Sequence, residues 1–401
     1  MMSAPTVPQS QKNSESRAHS PKLPDRHEPT VDIFRDIHEI SDEEWNSIVP
    51  EGAIQQSHAF IRTCQKSGVE GASYWHLMIR QGGRLIATAS ISRMIVSLDL
   101  LASQGLRRAT GTIRRRYPSF MRIPVLFCGL PVSFGQPCIT MRDKADIPQV
   151  TAIVSEAMEG IAAQSATGLL CWKEFDSDVA DALVGLVKAG YFRVRSLPSC
   201  SMSIPWNDFG SYLLSLRSPY RRQVRASLEV RKRARLRIRV LVDFESEIPA
   251  IFSLYEQVID RAEHRLERLN ESFFAGLNKN LGLNSRAIVI DIDSEPVAAA
   301  VVLNSGSSAF YLLAGINYEK NWVCQGYPNL VTEVLRDVIH SGAKRLEMGQ
   351  TSYYLKSRLG AVESPRWLFL RYRTRSIHML LKAASGVLFP ATKYPIRRVF
   401  K

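Results

Sequence analysis

The chain has 401 residues, of which 45% are apolar and 22% are charged. That length exceeds the size at which one hydrophobic core usually keeps growing, so the sequence predicts two folded domains and excludes wholesale disorder. The six cysteines form no C-x-x-C pair and have no histidine at ligand spacing, which argues against zinc and against a disulfide framework. No metal site is predicted, and a reducing cytoplasm suits these thiols.

The formal net charge of +14 is concentrated in three segments. Residues 106–122 carry six arginines and no acid, residues 210–239 carry ten basic residues against Glu229, and residues 365–401 carry nine basic residues and no acid. Such clustering favours a polyanionic partner or an acidic lipid surface. Solvated surface helices would give the same pattern.

The first half of the chain predicts a tail and then a mixed α/β unit. Residues 1–30 are rich in Ser, Pro and His without a signal-peptide core, so we expect a disordered tail. Residues 73–94 predict a β-hairpin around Gln81-Gly82-Gly83. A strand at 124–132, a helix at 147–163 and a strand at 168–173 follow.

Residues 206–285 predict a basic helical insert between two halves. Ser218-Pro219 combines a helix N-cap with proline at the first position, which indicates a helix that runs through the arginine-rich stretch. Two more helices are expected at 249–265 and 272–281. We place the boundary of the first half near Pro205.

The second half repeats the order of the first. A hairpin at 286–304, a strand at 308–315, a helix at 327–340 and a strand at 344–349 suggest an internal duplication. Residues 296–318 lack charge over a length that would suit a membrane span, but the turn residues at their centre predict a hairpin. No transmembrane helix is therefore predicted.

Residues 314–360 resemble the GNAT superfamily, and in particular the branch with BioF2-like acetyltransferase domains and Fem-type peptidyltransferases. The likeness rests on a strand ending in Gly315, a helix opening with Pro328, a strand closing on Gly349, and Tyr353-x-x-Lys356. It implies an α/β (α+β) fold of two tandem GNAT-like domains, each a mixed, mainly antiparallel sheet flanked by helices. The domains are expected at 31–205 and 286–375, with a basic tail at 376–401.

The resemblance also implies a donor site. In GNAT folds a helix N-terminus binds the pyrophosphate of coenzyme A, because its free N–H groups and its dipole favour an anion. Here that position holds Gln325, Gly326, Tyr327 and Asn329, while Pro328 removes one donor. Acyl-CoA is the expected co-substrate, with aminoacyl-tRNA or another carrier as alternatives.

The predicted catalytic residues lie in the segment LEMGQTSYYLKSRLG, residues 346–360. Lys356 follows Tyr353 by three residues, so on a short helix both could face one cleft. The cation would bind a carboxylate or phosphate, and the phenol would protonate the leaving group. Glu347 and His264 are candidate bases, although a surface ion pair and a structural histidine are the simpler interpretations.

The predicted substrate-binding residues are Tyr318, Gln350, and Arg221, Arg222 and Arg225 of the basic helix. The arginines would contact an anionic small-molecule or carrier-linked substrate, a tRNA, or solvent alone. The basic C-terminal tail would make peripheral contact with an anionic membrane.

The leading hypothesis is a cytoplasmic N-acyltransferase that moves a group other than aminoacyl from an acyl thioester to an amine, in cell-envelope or polysaccharide metabolism. A Fem-type transfer from aminoacyl-tRNA to a peptidoglycan precursor is the first alternative. The second is a non-catalytic GNAT-like adaptor that binds a polyanion.

Overall fold

A computed structural model describes residues 28–262, 266–390 and 397–401. The strands are β1 (Thr30–Phe34), β2 (Ser73–Gln81), β3 (Arg84–Ser97), β4 (Arg122–Cys128), β5 (Ile139–Met141), β6 (Leu169–Phe175), β7 (Phe192–Arg195), β8 (Ser199–Ser203), β9 (Arg237–Leu241), β10 (Ser285–Ile292), β11 (Glu295–Ser305), β12 (Ser308–Ile316), β13 (Arg345–Gly349), β14 (Val362–Ser364) and β15 (Trp367–Tyr372). The helices are α1 (Asp42–Asn46), α2 (His58–Ser67), α3 (Gln104–Arg116), α4 (Ile147–Gln164), α5 (Ser177–Ala182), α6 (Val184–Lys188), α7 (Phe209–Ser215), α8 (Ser218–Arg233), α9 (Ile248–Arg261), α10 (Glu271–Leu281), α11 (Tyr318–Cys324), α12 (Gly326–His340), α13 (Tyr353–Leu359) and α14 (Arg375–Leu388).

Both predicted hairpins form. Strands β2 and β3 pair antiparallel around Gly82 and Gly83, whose positive φ angles suit a tight turn. Strands β10 and β11 pair in the same way, and β11 continues into a second hairpin with β12. The uncharged stretch is therefore two strands, and none of the described helices has the length and apolarity needed to cross a membrane.

The strands form two sheets that repeat one plan. The first has the order β1-β2-β3-β4-β6-β15-β7, with β5 on β3, and the second has the order β14-β8-β13-β12-β11-β10-β9. All pairs are antiparallel except β4 with β6 and β12 with β13, between which helices α4 and α12 run. The expected fold class, two mixed and mainly antiparallel sheets flanked by helices, is confirmed.

Two strands cross between the halves. Strand β8 precedes the expected boundary near Pro205, yet it pairs with β13 and β14 in the second sheet. Strand β15 lies late in the chain but sits between β6 and β7 in the first sheet. Sheet membership therefore departs from the expected units 31–205 and 286–375. The sequence could not predict this, because alternation of residues indicates a strand but not its partner.

Residues 206–285 contain the expected helices α8, α9 and α10, together with a strand. Strand β9 pairs with β10 and forms the edge of the second sheet. The basic segment is thus continuous with the second half.

The two halves share a core. The ring of Phe134 lies 5.5 Å from that of Phe60 in the first half and 5.1 Å from that of Phe310 in the second. Nearby, Thr63 of α2 donates a hydrogen bond to the carbonyl of Gly276 in α10 at 3.2 Å. This packing holds the inner faces of both sheets around a common space.

Candidate active site

A cavity of about 510 Å³ lies between the two halves. Its walls are mostly apolar and come from both sheets, with Val125 and Phe127 on one side and Leu312 and Leu313 on the other. The charged side chains that line its described part are Lys173, Glu174, Glu267 and Lys356. An apolar pocket with a few convergent polar groups is the usual form of a small-molecule site.

Lys356 reaches this cavity because of a bulge in β13. The register with β8 shifts between Glu347 and Gly349, which leaves Met348 as an extra residue. Gly349 then adopts a φ of +72° and turns the chain towards α13. From α13 the Nζ atom of Lys356 donates a hydrogen bond to the carbonyl of Met348.

The environment of Lys356 disfavours its charge. The side chain is 3% exposed, and burial lowers the pKa of Lys356 to about 8, against a weaker opposing effect of Cys200. Its Nζ lies 5.8 Å from the ring centroid of Tyr311. A lysine in this state can donate a proton or a hydrogen bond near neutral pH.

Tyr353 and Gln350 belong to the turn that carries Lys356. The Tyr353 hydroxyl lies 2.9 Å from the carbonyl oxygen of Pro198 and contacts that of Gln350. Gln350 lines the cavity and donates from Nε2 to the Leu197 carbonyl at 2.7 Å, whereas Tyr353 is absent from the lining. The structure thus brings Lys356 and Gln350 together, and it directs Tyr353 to the backbone that supports them.

Of the two candidate bases, the structure describes only Glu347, and it does not place that residue at the cavity. Glu347 lies on β13, pairs with Arg345 and does not contribute to the lining. His264 lies outside the described residues. Sequence reasoning placed Glu347 on the correct strand but could not anticipate the bulge that separates it from Lys356.

Backbone N–H groups at the start of α12 donate hydrogen bonds to acceptors within the protein. Gly326 begins the helix, the N–H of Tyr327 donates to Oδ1 of Asn321 at 2.9 Å, and Pro328 has no N–H. The N–H of Gln325, the residue before the helix, donates to the carbonyl of Asn321. Two of the N–H groups that a pyrophosphate would need are therefore already engaged.

The side chains at this helix start also turn away from the cavity, with one exception. Gln325 accepts a hydrogen bond from Ser227 of α8 at 2.7 Å, and Asn329 donates to the Cys324 carbonyl at 3.1 Å. Tyr327 lines the cavity, and burial raises the pKa of Tyr327 to about 12, so the phenol is neutral. Of the four predicted donor-site residues, Tyr327 alone belongs to the described lining.

The remaining predicted residues divide between cavity and surface. Tyr318 lines the cavity, and its ring centroid lies 4.4 Å from the guanidinium of Arg261. Arg222 and Arg225 are exposed on α8, and Arg221 donates to backbone carbonyls beside that helix. The three arginines do not belong to the lining.

Sequence reasoning missed the other three charged residues of the cavity lining. Lys173 and Glu174 lie on β6 and Glu267 follows α9. A signal was present, because Lys173-Glu174 interrupts an otherwise apolar strand whose counterpart in the second half is β13. Adjacent residues on a regular strand face opposite sides of the sheet. The pattern alone therefore predicts that only one of Lys173 and Glu174 faces the cavity.

Comparisons with known proteins agree with this fold. Residues 36–312 match the FemAB-like family, which is described as peptidoglycan biosynthesis/recognition. The crystal structure of FemX superposes with a TM-score of 0.57 at 13% identity and covers 88% of this chain and 100% of that one. A tandem GNAT protein from the clavulanic acid biosynthesis pathway gives a TM-score of 0.50 at 11% identity over 86% of this chain and 99% of that one.

Curated relatives are longer than this chain. The 8-amino-7-oxononanoate synthase 2 proteins of two Mycobacterium tuberculosis strains are 24% identical over 328 residues, which is 80% of this chain. The chain spans only 42% of the length of those relatives. Their name therefore describes a larger protein.

One expectation is overturned. The match to the FemAB-like family points to aminoacyl transfer, so the predicted transfer of a group other than aminoacyl is wrong. The broader prediction of a GNAT-fold transferase in the Fem-type branch is confirmed.

Proposed function

Since the chain belongs to the FemAB-like family, we propose that it transfers an aminoacyl group from an aminoacyl-tRNA to an amine of a peptidoglycan precursor. The observation that carries the proposal is the cavity between the halves, with Lys356 buried at its wall. The cavity is large enough for an aminoacyl ester and an amine to meet away from bulk water.

The reaction needs little covalent help from the protein. The neutral amine attacks the ester carbonyl, a C–N bond forms, and the C–O bond to the ribose breaks. The proton that leaves the amine nitrogen ends on the departing ribose oxygen. Positioning the two partners and stabilising the oxyanion supply most of the rate in reactions of this kind.

Lys356 would stabilise the oxyanion and protonate the leaving oxygen. One of its three N–H groups is directed at the Met348 carbonyl, which fixes the ammonium at the cavity wall. Because its pKa is about 8, it can give a proton to the ribose oxygen at neutral pH and recover it afterwards. Tyr327, a neutral phenol in the same lining, is the second donor.

The start of α12 supports a donor other than coenzyme A. With the N–H groups of Gln325 and Tyr327 engaged inside the protein and none on Pro328, little remains there to hold a pyrophosphate. Acyl-CoA stays an untested prediction. An aminoacyl-tRNA would need no such site, since its phosphates could lie along the exposed arginines of α8.

Two peripheral contacts complete the proposal. Arg222 and Arg225 would meet the tRNA backbone. The exposed side chains of Met379 and Leu380 on α14, in a segment rich in positive charge, would rest on an anionic membrane.

A transfer assay tests the proposal. Total tRNA charged with each of the standard amino acids in labelled form is incubated with the protein and a muramoyl-pentapeptide precursor, and label in the precursor is measured. We expect transfer with a subset of amino acids, and loss of that transfer in Lys356→Met. The matched control is Lys382→Met, which removes an exposed lysine of α14.

Failure to move label from any charged tRNA would overturn the proposal. Turnover of acetyl-CoA in place of aminoacyl-tRNA would do the same. The non-catalytic alternative predicts tRNA binding without transfer.

A further inference from the structure

We propose that Glu174 and Glu267 form a binding site for a primary ammonium group of a substrate, in the cavity between the halves. The site would receive one of the amines that aminoacyl transfer requires, and to that extent it rests on the proposed function. The binding itself does not depend on any transfer step.

A bulge in β6 creates the site. Trp367 of β15 pairs with Phe175 and Phe369 pairs with Trp172, so two residues of β6 stand opposite one residue of β15. Those two residues are Lys173 and Glu174, and both line the cavity although they are adjacent. The bulge thus presents two neighbouring charges on one face.

The backbone at this bulge is strained. Glu174 adopts a φ of +72°, a left-handed conformation that is unfavourable for a residue with a side chain. Strain of this kind persists where the surrounding structure fixes it, and it concentrates at ligand sites.

Glu174 has an unused acceptor. The residue is 5% exposed, and its Oε2 atom has no hydrogen-bond partner among the described residues. Lys173 does not supply one, because its Nζ donates to the Leu130 carbonyl at 2.7 Å and lies 3.8 Å from Oε1 of Glu174. A buried carboxylate oxygen without a donor is costly unless a ligand satisfies it.

The charges around the site favour a cation. Glu174 and Glu267 face the cavity together with Lys173, while Arg366 and the exposed Glu70 contribute from behind the wall. Burial raises the pKa of Glu174, and burial raises that of Glu267 to about 7, with Glu174 and Glu70 adding to the effect. A bound ammonium would stabilise the charged form of both carboxyls and lower their pKa values.

The surrounding wall limits what carries the ammonium. Val132, Phe134 and Leu266 lie in the same lining and offer no hydrogen bonds from their side chains. We therefore expect an amine on an aliphatic chain. It is either the amine of the acceptor or the α-ammonium of the aminoacyl donor.

Titration calorimetry on the full chain tests the site. The probes are n-hexylamine as the acceptor type, leucine methyl ester as the donor type, and n-hexanol as the uncharged control. We expect at least one amine to bind at least about tenfold more tightly than hexanol, and Glu174→Gln to remove that advantage. Glu267→Gln provides a second variant should Glu174→Gln unfold, and Glu156→Gln on the exposed face of α4 is the matched control.

The amine that binds more tightly identifies the source. Equal binding of the amines and hexanol would overturn the proposal, as would amine binding that survives in both Glu174→Gln and Glu267→Gln. Because no transfer is measured, a failed transfer assay with intact amine binding would count against the proposed function alone.

Discussion

Each half of the molecule places a buried lysine at the shared cavity, but the two lysines have different neighbours. Both lysines donate to a backbone carbonyl, but Lys173 stands on the bulge of β6 beside Glu174, whereas Lys356 follows the bulge of β13 and lies near the ring of Tyr311. Strands β6 and β13 are counterparts, since each is the parallel partner that follows a long helix. Under the two proposals above, one structural device would offer carboxylates to a cation in the first half and a cation to an oxyanion in the second.

This difference suggests a division of labour within one fold. The two sheets share one plan, and a few side chains at each bulge would set what each half binds. The exchange of β8 and β15 then ties the two half-sites to a single cavity. Substitutions in the two halves should therefore have separable effects.

The largest effect should come from the core that joins the halves. Phe134→Ala leaves a cavity between Phe60 and Phe310, so we expect the free energy of unfolding to fall by about 3–5 kcal/mol. Calorimetry should show one transition that moves as a whole. The control Phe120→Ala, at a partly exposed ring, should cost less than about 1 kcal/mol. Two separate transitions, with only one shifted, would mean that the halves are independent.

The second prediction concerns Lys356. Lys356→Met removes the cation but keeps most of the volume, and we expect kcat for aminoacyl transfer to fall about 10²–10³-fold. The assay is single-turnover transfer with saturating substrates. A loss of less than threefold, or an equal loss in Lys382→Met, would remove Lys356 from the chemistry.

The third prediction follows from the lowered pKa of Lys356. Between about pH 8 and the ordinary lysine pKa of 10.5, the unfolded chain keeps a proton that the folded chain has released. Stability relative to Lys356→Met should therefore rise with pH across that window, by at most about 3 kcal/mol. Chemical denaturation at several pH values measures it. A difference that stays flat or falls would contradict the burial of this lysine.

The fourth prediction addresses α8. Replacing two exposed arginines, in Arg222→Gln with Arg225→Gln, should weaken tRNA binding a few-fold and reduce its salt dependence. Filter binding across a range of salt concentrations is the measurement. The control pair on α3, Arg115→Gln with Arg116→Gln, should leave the slope unchanged. A reduced slope for the α3 pair and an unchanged slope for the α8 pair would place the tRNA on the first half.

The smallest effect is expected at α14. Met379→Ser with Leu380→Ser should reduce co-sedimentation with phosphatidylglycerol vesicles about threefold, because two apolar contacts are lost. The exposed pair Val184 and Val187 of α6 supplies the control, changed to serine. Equal vesicle binding by the unmodified protein and both variants would exclude α14 as a membrane contact.

Much of the fold could be predicted from the sequence, because local patterns fix it. Alternating apolar residues and the turn at Gly82-Gly83 give the first hairpin, and the apolar stripe of α12 gives its length. Strand partners could not be predicted, since β8 and β15 look like ordinary strands wherever they pair. Only the strand order of the two sheets shows that β8 and β15 are exchanged between the halves.

The site was predicted in part. Lys356, Gln350, Tyr318 and Tyr327 were singled out and all line the cavity. Lys173 and Glu174 were missed because their common direction depends on a bulge, and no alternation rule reports one. The occupied donors at the start of α12 depend on Asn321, which helix-start patterns do not include.

The division of labour is tested most directly by steady-state transfer with Lys356→Met and Glu174→Gln side by side. We expect Lys356→Met to lower kcat with little change in KM, and Glu174→Gln to raise the KM of one amine-bearing substrate at least about tenfold while kcat changes less than about threefold. The same pattern of kcat and KM in both variants would contradict the account, because the two halves would then serve a single role.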